Sequence, residues 1–174
     1  LFRYGVEAGD ASALERCAAL LPDGPFARHA LFRRATIMAS SSDAAERRKA
    51  TGDLIEMHRS AKDASIAREA LYCAAATTYS DRRYRESSIL FRKYAKTYPG
   101  DAKAAEAVSL AAWSDYLDGR YSEAESLCAD GATEDAAWLL AMCAYRSGRN
   151  ALAQERMESF IARWPDGKRA MKLS

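Results

Sequence analysis

Residues 133–166 read TEDAAWLLAMCAYRSGRNALAQERMESFIARWPD. Gly148 divides this stretch in two. Behind it, at 11, 8, 7 and 4 residues, stand Ala137, Leu140, Ala141 and Ala144. Ahead of it, at 5, 9, 12 and 17 residues, stand Ala153, Met157, Phe160 and Pro165. Both halves carry the three-and-four spacing that puts side chains on one helical face. Ser147-Gly148 ends the first helix and Trp164-Pro165 ends the second, because glycine tolerates the left-handed stop and proline cannot extend a helix. The stretch is a helical hairpin with small residues along its seam.

The same offsets recur elsewhere. Before Arg82 stand Leu71, Ala74, Ala75 and Thr78; after it stand Ser87, Phe91, Tyr94 and Pro99. Before Gly119 stand Val108, Ala111, Ala112 and Asp115; after it come Ala124 and Cys128, and the pattern then fails around Ala129-Asp130-Gly131. Gly9 is followed by Leu14, Ala18 and Leu21, and Ala45 by Ala50, Leu54 and Met57. The five turn points lie 36, 37, 37 and 29 residues apart. Alanines at mid-helix let two backbones approach, and a bulky residue from the partner fills the gap. The spacing predicts helices over 1–8, 11–21, 26–41, 43–60, 63–80, 82–97, 101–117, 121–129, 133–147 and 150–164, with a further one over 167–173.

A second stripe runs along three of these helices. It reads Glu69-Tyr72-Ala76-Tyr79, Glu106-Ser109-Trp113-Tyr116 and Asp135-Trp138-Met142-Tyr145. Each set opens with a carboxylate, ends in tyrosine and lies apart from the alanine seam that suffices to pack the helices. Aromatic side chains give large contact area at low entropic cost, so this face is a candidate binding surface. The competing readings are self-packing for the aromatics and a helix-dipole role for Glu69, Glu106 and Asp135.

Composition narrows the function classes. The chain has 174 residues, 49% hydrophobic and 29% charged, with four prolines and nine glycines. That is a helical, globular composition of one ordinary domain. The net charge of +2 argues against a dedicated nucleic-acid binder. Residues 1–100 hold 17 Lys+Arg and 12 Asp+Glu, a balance of +5; residues 101–174 hold 9 and 12, a balance of −3. No run reaches the length of about 18 apolar residues that spans a bilayer, so no transmembrane segment is expected. The chain starts at Leu1 rather than Met, and we expect the natural protein to be longer. Cys17, Cys73, Cys128 and Cys143 have no metal-site spacing and read as small buried residues. His29 and His58 lack a second ligand or a partner acid. Ser40-Ser41-Ser42-Asp43 reads as a helix cap. The basic cluster of Arg82, Arg83, Arg85, Arg92, Lys93 and Lys96 reads as a solvated outer face. No nucleotide-binding or nucleophile motif is present. The expectation is a protein that is not an enzyme, with no catalytic residue, metal or cofactor.

Gly119-Tyr121-Ala124, Gly148-Ala153-Pro165 and Tyr84-Phe91-Pro99 resemble the tetratricopeptide repeat family, clearly over 68–166 and less so over 1–67. The resemblance implies an all-α, right-handed superhelix of about five helix-turn-helix units forming one domain over 1–174, with turns near 9, 45, 82, 119 and 148. The spacings of 36 and 37 depart from the family's period of about 34. Asp115 stands where a core residue is expected, and Arg82 and Ala45 replace the turn glycine. By the same resemblance, the stripe lines the concave face. Glu69, Tyr72, Tyr79, Glu106, Trp113, Tyr116, Asp135, Trp138, Met142 and Tyr145 would then bind a peptide or protein partner, favouring a basic one through cation–π and carboxylate contacts. The rival readings are a self-assembling structural module, as in a homo-oligomer, and a small-molecule or lipid carrier. The joint Phe91-Arg92-Lys93-Tyr94-Ala95-Lys96-Thr97-Tyr98-Pro99-Gly100-Asp101 is similar to joints of bacterial cell-envelope repeat proteins. It implies the envelope or periplasm, with the cytoplasm as the alternative.

Overall fold

A computed structural model describes residues 1–22, 24, 26–129 and 131–167. Among them are ten helices and no strand. They are α1 (Phe2–Ala8), α2 (Ala11–Leu20), α3 (Ala27–Ala39), α4 (Ala44–Ser60), α5 (Ala64–Ser80), α6 (Tyr84–Thr97), α7 (Ala104–Leu117), α8 (Tyr121–Leu127), α9 (Glu134–Arg146) and α10 (Asn150–Arg163). The protein is all-α. The helix expected over 167–173 lies outside the described residues but for Gly167. The chain divides into two compact units, Leu1–Leu90 and Phe91–Ser174, and the division falls inside α6.

In the first unit each of α2 to α5 packs on the helix before it, and α3 also meets α5. Leu14, Ala18, Ala27 and Ala30 form a buried cluster, with Phe2, Val6, Leu31 and Ile37 against it. Gly5 makes the approach of α1 to α2 possible: a Cβ there would lie 2.7 Å from Leu14 Cγ. Leu54 and the α5 seam of Leu71, Ala74, Ala75 and Thr78 are fully buried. Ser87 Oγ of α6 donates to the Ala75 carbonyl at 3.1 Å, tying the start of α6 to α5. The turn expected near residue 45 falls at Ser40–Asp43, and Ala45 lies in the first turn of α4. Asp43 caps that helix by accepting from Ala45 N. Leu21, expected in the core, is exposed because α2 stops at Leu20.

In the second unit α7, α8, α9 and α10 pack in succession, and α7 also meets α9. Its core holds Ala112, Ala124, Cys128, Leu139 and Cys143. The joint before α7 is closed by Asp101, whose carboxylate accepts from Tyr94 Oη (2.7 Å) and Lys103 N (2.8 Å). This local turn holds residues 101–103 ahead of the helix, so α7 starts at Ala104, later than the expected 101. The ring pair Tyr94–Tyr98 (5.4 Å) has a counterpart in Phe160–Trp164 (5.6 Å), at the same offsets from their turns. α8 is seven residues long, as the failing pattern after Cys128 anticipates.

Four turns share one geometry. Gly9, Arg82, Gly119 and Gly148 have φ of 64, 59, 79 and 75°. The amide of the following residue reaches back to a carbonyl five positions earlier: Asp10 to Gly5, Arg83 to Thr78, Arg120 to Asp115 and Arg149 to Ala144, at 2.8–2.9 Å. These are left-handed helix stops that recover orphaned carbonyls. Arg82 occupies a glycine position with an exposed side chain, at a steric cost of roughly 1 kcal/mol. Arg82→Gly is therefore expected to stabilise the first unit by about 0.5–1 kcal/mol. A higher thermal midpoint by circular dichroism would show it; a lower one would mean that the arginine side chain holds the turn.

Candidate functional face

The stripe splits between the two units, and each part is described within its own. In the first unit, Glu69, Tyr72 and Tyr79 of α5 are all half-buried. The Tyr79 ring meets Tyr84 edge-on at 5.7 Å, and burial, with Tyr84 beside it, raises the Tyr79 hydroxyl above its usual 10.0. Glu69 lies 4.0 Å from Arg68. It sits in the second turn of α5, whose first turn carries no acid. The helix-dipole reading thus fails for Glu69, while Glu106 and Asp135 do stand in first turns.

In the second unit, Trp113 and Tyr116 of α7 are half-buried against the core cluster. Their rings meet at right angles, 5.8 Å apart, and Tyr116 is equally close to Tyr121. Arg146 Nε donates to Tyr116 Oη at 3.3 Å, linking the α9 end of the stripe to the α7 end. Tyr121 and Arg146 belong to this cluster, and their spacing from the stripe gave no sign of it. On α9, Trp138 turns toward α10. It packs edge-on against Phe160 at 5.4 Å, and Phe160 continues to Trp164. Arg163 lies over the Trp164 ring at 4.4 Å and donates to the Gly131 carbonyl at 3.2 Å. Trp138 thus serves the hairpin's own packing. Met142 and Tyr145 lie further along the same helix. With Ala141, Asn150, Ala153, Gln154 and Met157 they line an open groove of about 450 Å³, and Tyr145 is 61% exposed. Glu106 and Asp135 are exposed.

Arginine–carboxylate nodes brace the helices behind these faces. Asp115 is fully buried and takes ion pairs from Arg92 and from Arg120, the latter at 2.5 Å; Arg120 also lies 2.9 Å from Asp118. In the first unit Arg34 bridges Asp53 (3.1 Å) and Glu15 (3.6 Å), and Asp81 pairs with Arg47 and Arg83. Glu125 takes Arg149 at 2.8 Å together with Arg156, whose Nη1 also donates to the Leu140 carbonyl at 2.8 Å. Burial alone would raise the Glu125 carboxyl, but the hydrogen bonds from Arg156 and Arg149 outweigh it and hold the group below its usual 4.5. A depressed folded-state value adds stability above the unfolded value, which is lost as pH falls through the folded one. The thermal midpoint of the second unit should therefore drop as pH falls below about 4.5. Glu125→Gln should lower it at neutral pH and flatten the acid slope; an unchanged slope would count against this node.

His58 Nδ1 lies 3.1 Å from the Ala67 carbonyl, and His29 is exposed. All four cysteines are free thiols. Burial, with Glu125 and Cys128 near, pushes the Cys143 thiol up to about 12, so it is no nucleophile at neutral pH. Among the described residues no three His, Cys, Asp or Glu side chains are grouped to hold a metal ion. Among the same residues no helix is long and apolar enough to cross a membrane. No family model, curated protein or solved structure matches the chain.

Proposed function

We propose that the chain is a tetratricopeptide-like helical repeat and works as a non-enzymatic scaffold, holding a peptide or protein partner on its aromatic, acid-edged face. One observation carries the reading. The hairpins are held by fully buried small residues, among them Ala74, Ala75, Ala111, Ala112, Ala141 and Ala144. The aromatic side chains of the same helices keep exposed surface, most of all Tyr145. The shared left-handed turns support the repeat assignment. The cluster of Trp113, Tyr116 and Tyr121, with Glu106 exposed on α7 and Asp135 exposed on α9, suits a lysine- or arginine-bearing segment. Trp138 is the weakest member of the set, being engaged with Phe160. The bacterial envelope or periplasm is the proposed location, resting on the Phe91–Asp101 joint.

Selecting peptides from a displayed random library against the wild-type chain tests this. The selected sequences should be rich in Lys or Arg. Trp113→Ala combined with Tyr116→Ala should weaken them by about tenfold or more, in a protein whose helical circular dichroism is unchanged. Equal binding to the folded double variant, or no enrichment at all, overturns the proposal.

A further inference from the structure

Two thiols meet in the core of the second unit. Cys128 closes α8 and Cys143 lies within α9. The two helices pack on each other, and both cysteines belong to one buried cluster with Ala112, Ala124 and Leu139. Cys128 is 5% exposed and Cys143 0%. They are near enough for a charge at Cys128 to oppose ionisation of Cys143. Trp113, Tyr116 and Tyr121 pack against the same cluster, so the thiols lie beneath the aromatic face. The fold has a use for a link at this point. α8 has seven residues and no side-chain cap at its start, short of the roughly 12–15 at which a helix begins to stand alone. Glu125 ties it to Arg149 and Arg156. Beyond Glu125 the chain leaves the helix, and Cys128 N reaches the Glu125 carbonyl, three residues back, at 3.1 Å. A covalent bond from Cys128 to α9 fastens that end.

We propose that Cys128 and Cys143 are the two halves of a disulfide that fastens α8 to α9 beneath the aromatic face, closed by a small disulfide oxidant and opened by reducing thiols. The exchange balances in two steps. The Cys128 thiolate attacks one sulfur of the oxidant, and half of it leaves, taking up the proton that Cys128 lost. Cys143 then gives up its proton and attacks the Cys128 sulfur, expelling the second half. Two electrons pass to the oxidant, which becomes two thiols, and one S–S bond joins the helices. Cys128 is the entry point, because Ala129 beside it is exposed. Burial pushes the Cys143 thiol up to about 12, so in the closed core it is not ionised, and the second step proceeds as the end of α8 opens. The pair therefore responds to its compartment, closing in an oxidising one and staying open in a reducing one.

The test incubates the 174-residue chain with oxidised and reduced glutathione, blocks remaining thiols with N-ethylmaleimide and cuts after glutamate. The cut after Glu134 separates the two cysteines, so residues 126–134 and 135–155 stay joined only through an S–S bond. That linked pair is expected by mass spectrometry as the main disulfide product. The oxidised chain should melt roughly 10 °C higher than the reduced one by tryptophan fluorescence, and dithiothreitol should reverse the rise. Cys143→Ala should abolish both the link and the rise, and Cys128→Ala serves if that variant fails to fold. Glutathione adducts alone, or links through Cys17 or Cys73 as the main product, overturn the proposal. So does a link between Cys128 and Cys143 that leaves the melting temperature unchanged or lower, since the bond would then work against the packing. No peptide enters the experiment, so its failure leaves the scaffold reading standing.

Discussion

Asp115→Ala is expected to destabilise the second unit by about 3 kcal/mol. The carboxylate is fully buried and meets two guanidinium groups. Removing it leaves Arg92 and Arg120 facing each other around an apolar alanine. Uncompensated buried charge costs roughly 3–5 kcal/mol. The low end applies because the arginine side chains keep 38% and 24% of their surface exposed and can turn toward water. Urea unfolding followed by tryptophan fluorescence measures this cleanly, since Trp113, Trp138 and Trp164 all lie in the second unit. Adding Arg92→Ala to the variant should recover part of the loss. A loss below about 1 kcal/mol would place the node among ordinary surface pairs.

Phe160→Ala is expected to cost about 3–5 kcal/mol, the usual range for deleting a buried ring. Phe160 is 1% exposed and stands between Trp138 and Trp164, at 5.4 and 5.6 Å. Its removal opens a void between two large rings that cannot both move in, because Arg163 holds Trp164 and ties it to the Gly131 carbonyl. Phe160→Leu fills most of that void and should cost about half as much. A tryptophan emission spectrum unshifted by Phe160→Ala would mean that the rings do not depend on it. The same substitution leaves Met142 and Met157 in place, so it also asks whether the groove on α9–α10 depends on the packing behind it.

Helix positions were readable because the punctuation is chemical. Gly9, Gly119 and Gly148 stop helices in the left-handed conformation, and Arg82 adopts it without being glycine. Asp43, Asp63 and Thr133 cap the starts of α4, α5 and α9. Alanine spacing identified the seam, as the burial of Ala74, Ala111 and Ala141 shows. Asp115 looked out of place from spacing alone, and its two arginines account for it. Those arginines were not legible, since Arg92 lies 23 residues from Asp115 in sequence and reaches it only once both helices are packed. Tyr121, noted only as part of its turn, and Arg146 were not joined to the aromatic cluster for the same reason: one begins a helix, the other ends one, and neither falls on the stripe's spacing. Trp138 fitted the spacing and packs edge-on against Phe160, an aromatic contact across the hairpin that spacing within α9 does not reveal.

The nodes have a kinetic corollary. The side-chain hydrogen bonds that anchor them join residues separated by 19 to 34 positions. None requires the two ends of the chain to find each other. Loop-closure entropy grows only slowly with such short separations, and helical proteins of low contact order fold in roughly microseconds to milliseconds. Each node can form as soon as the two or three helices that hold it have been made, so a chain emerging from synthesis can lock in order, from first helix to last.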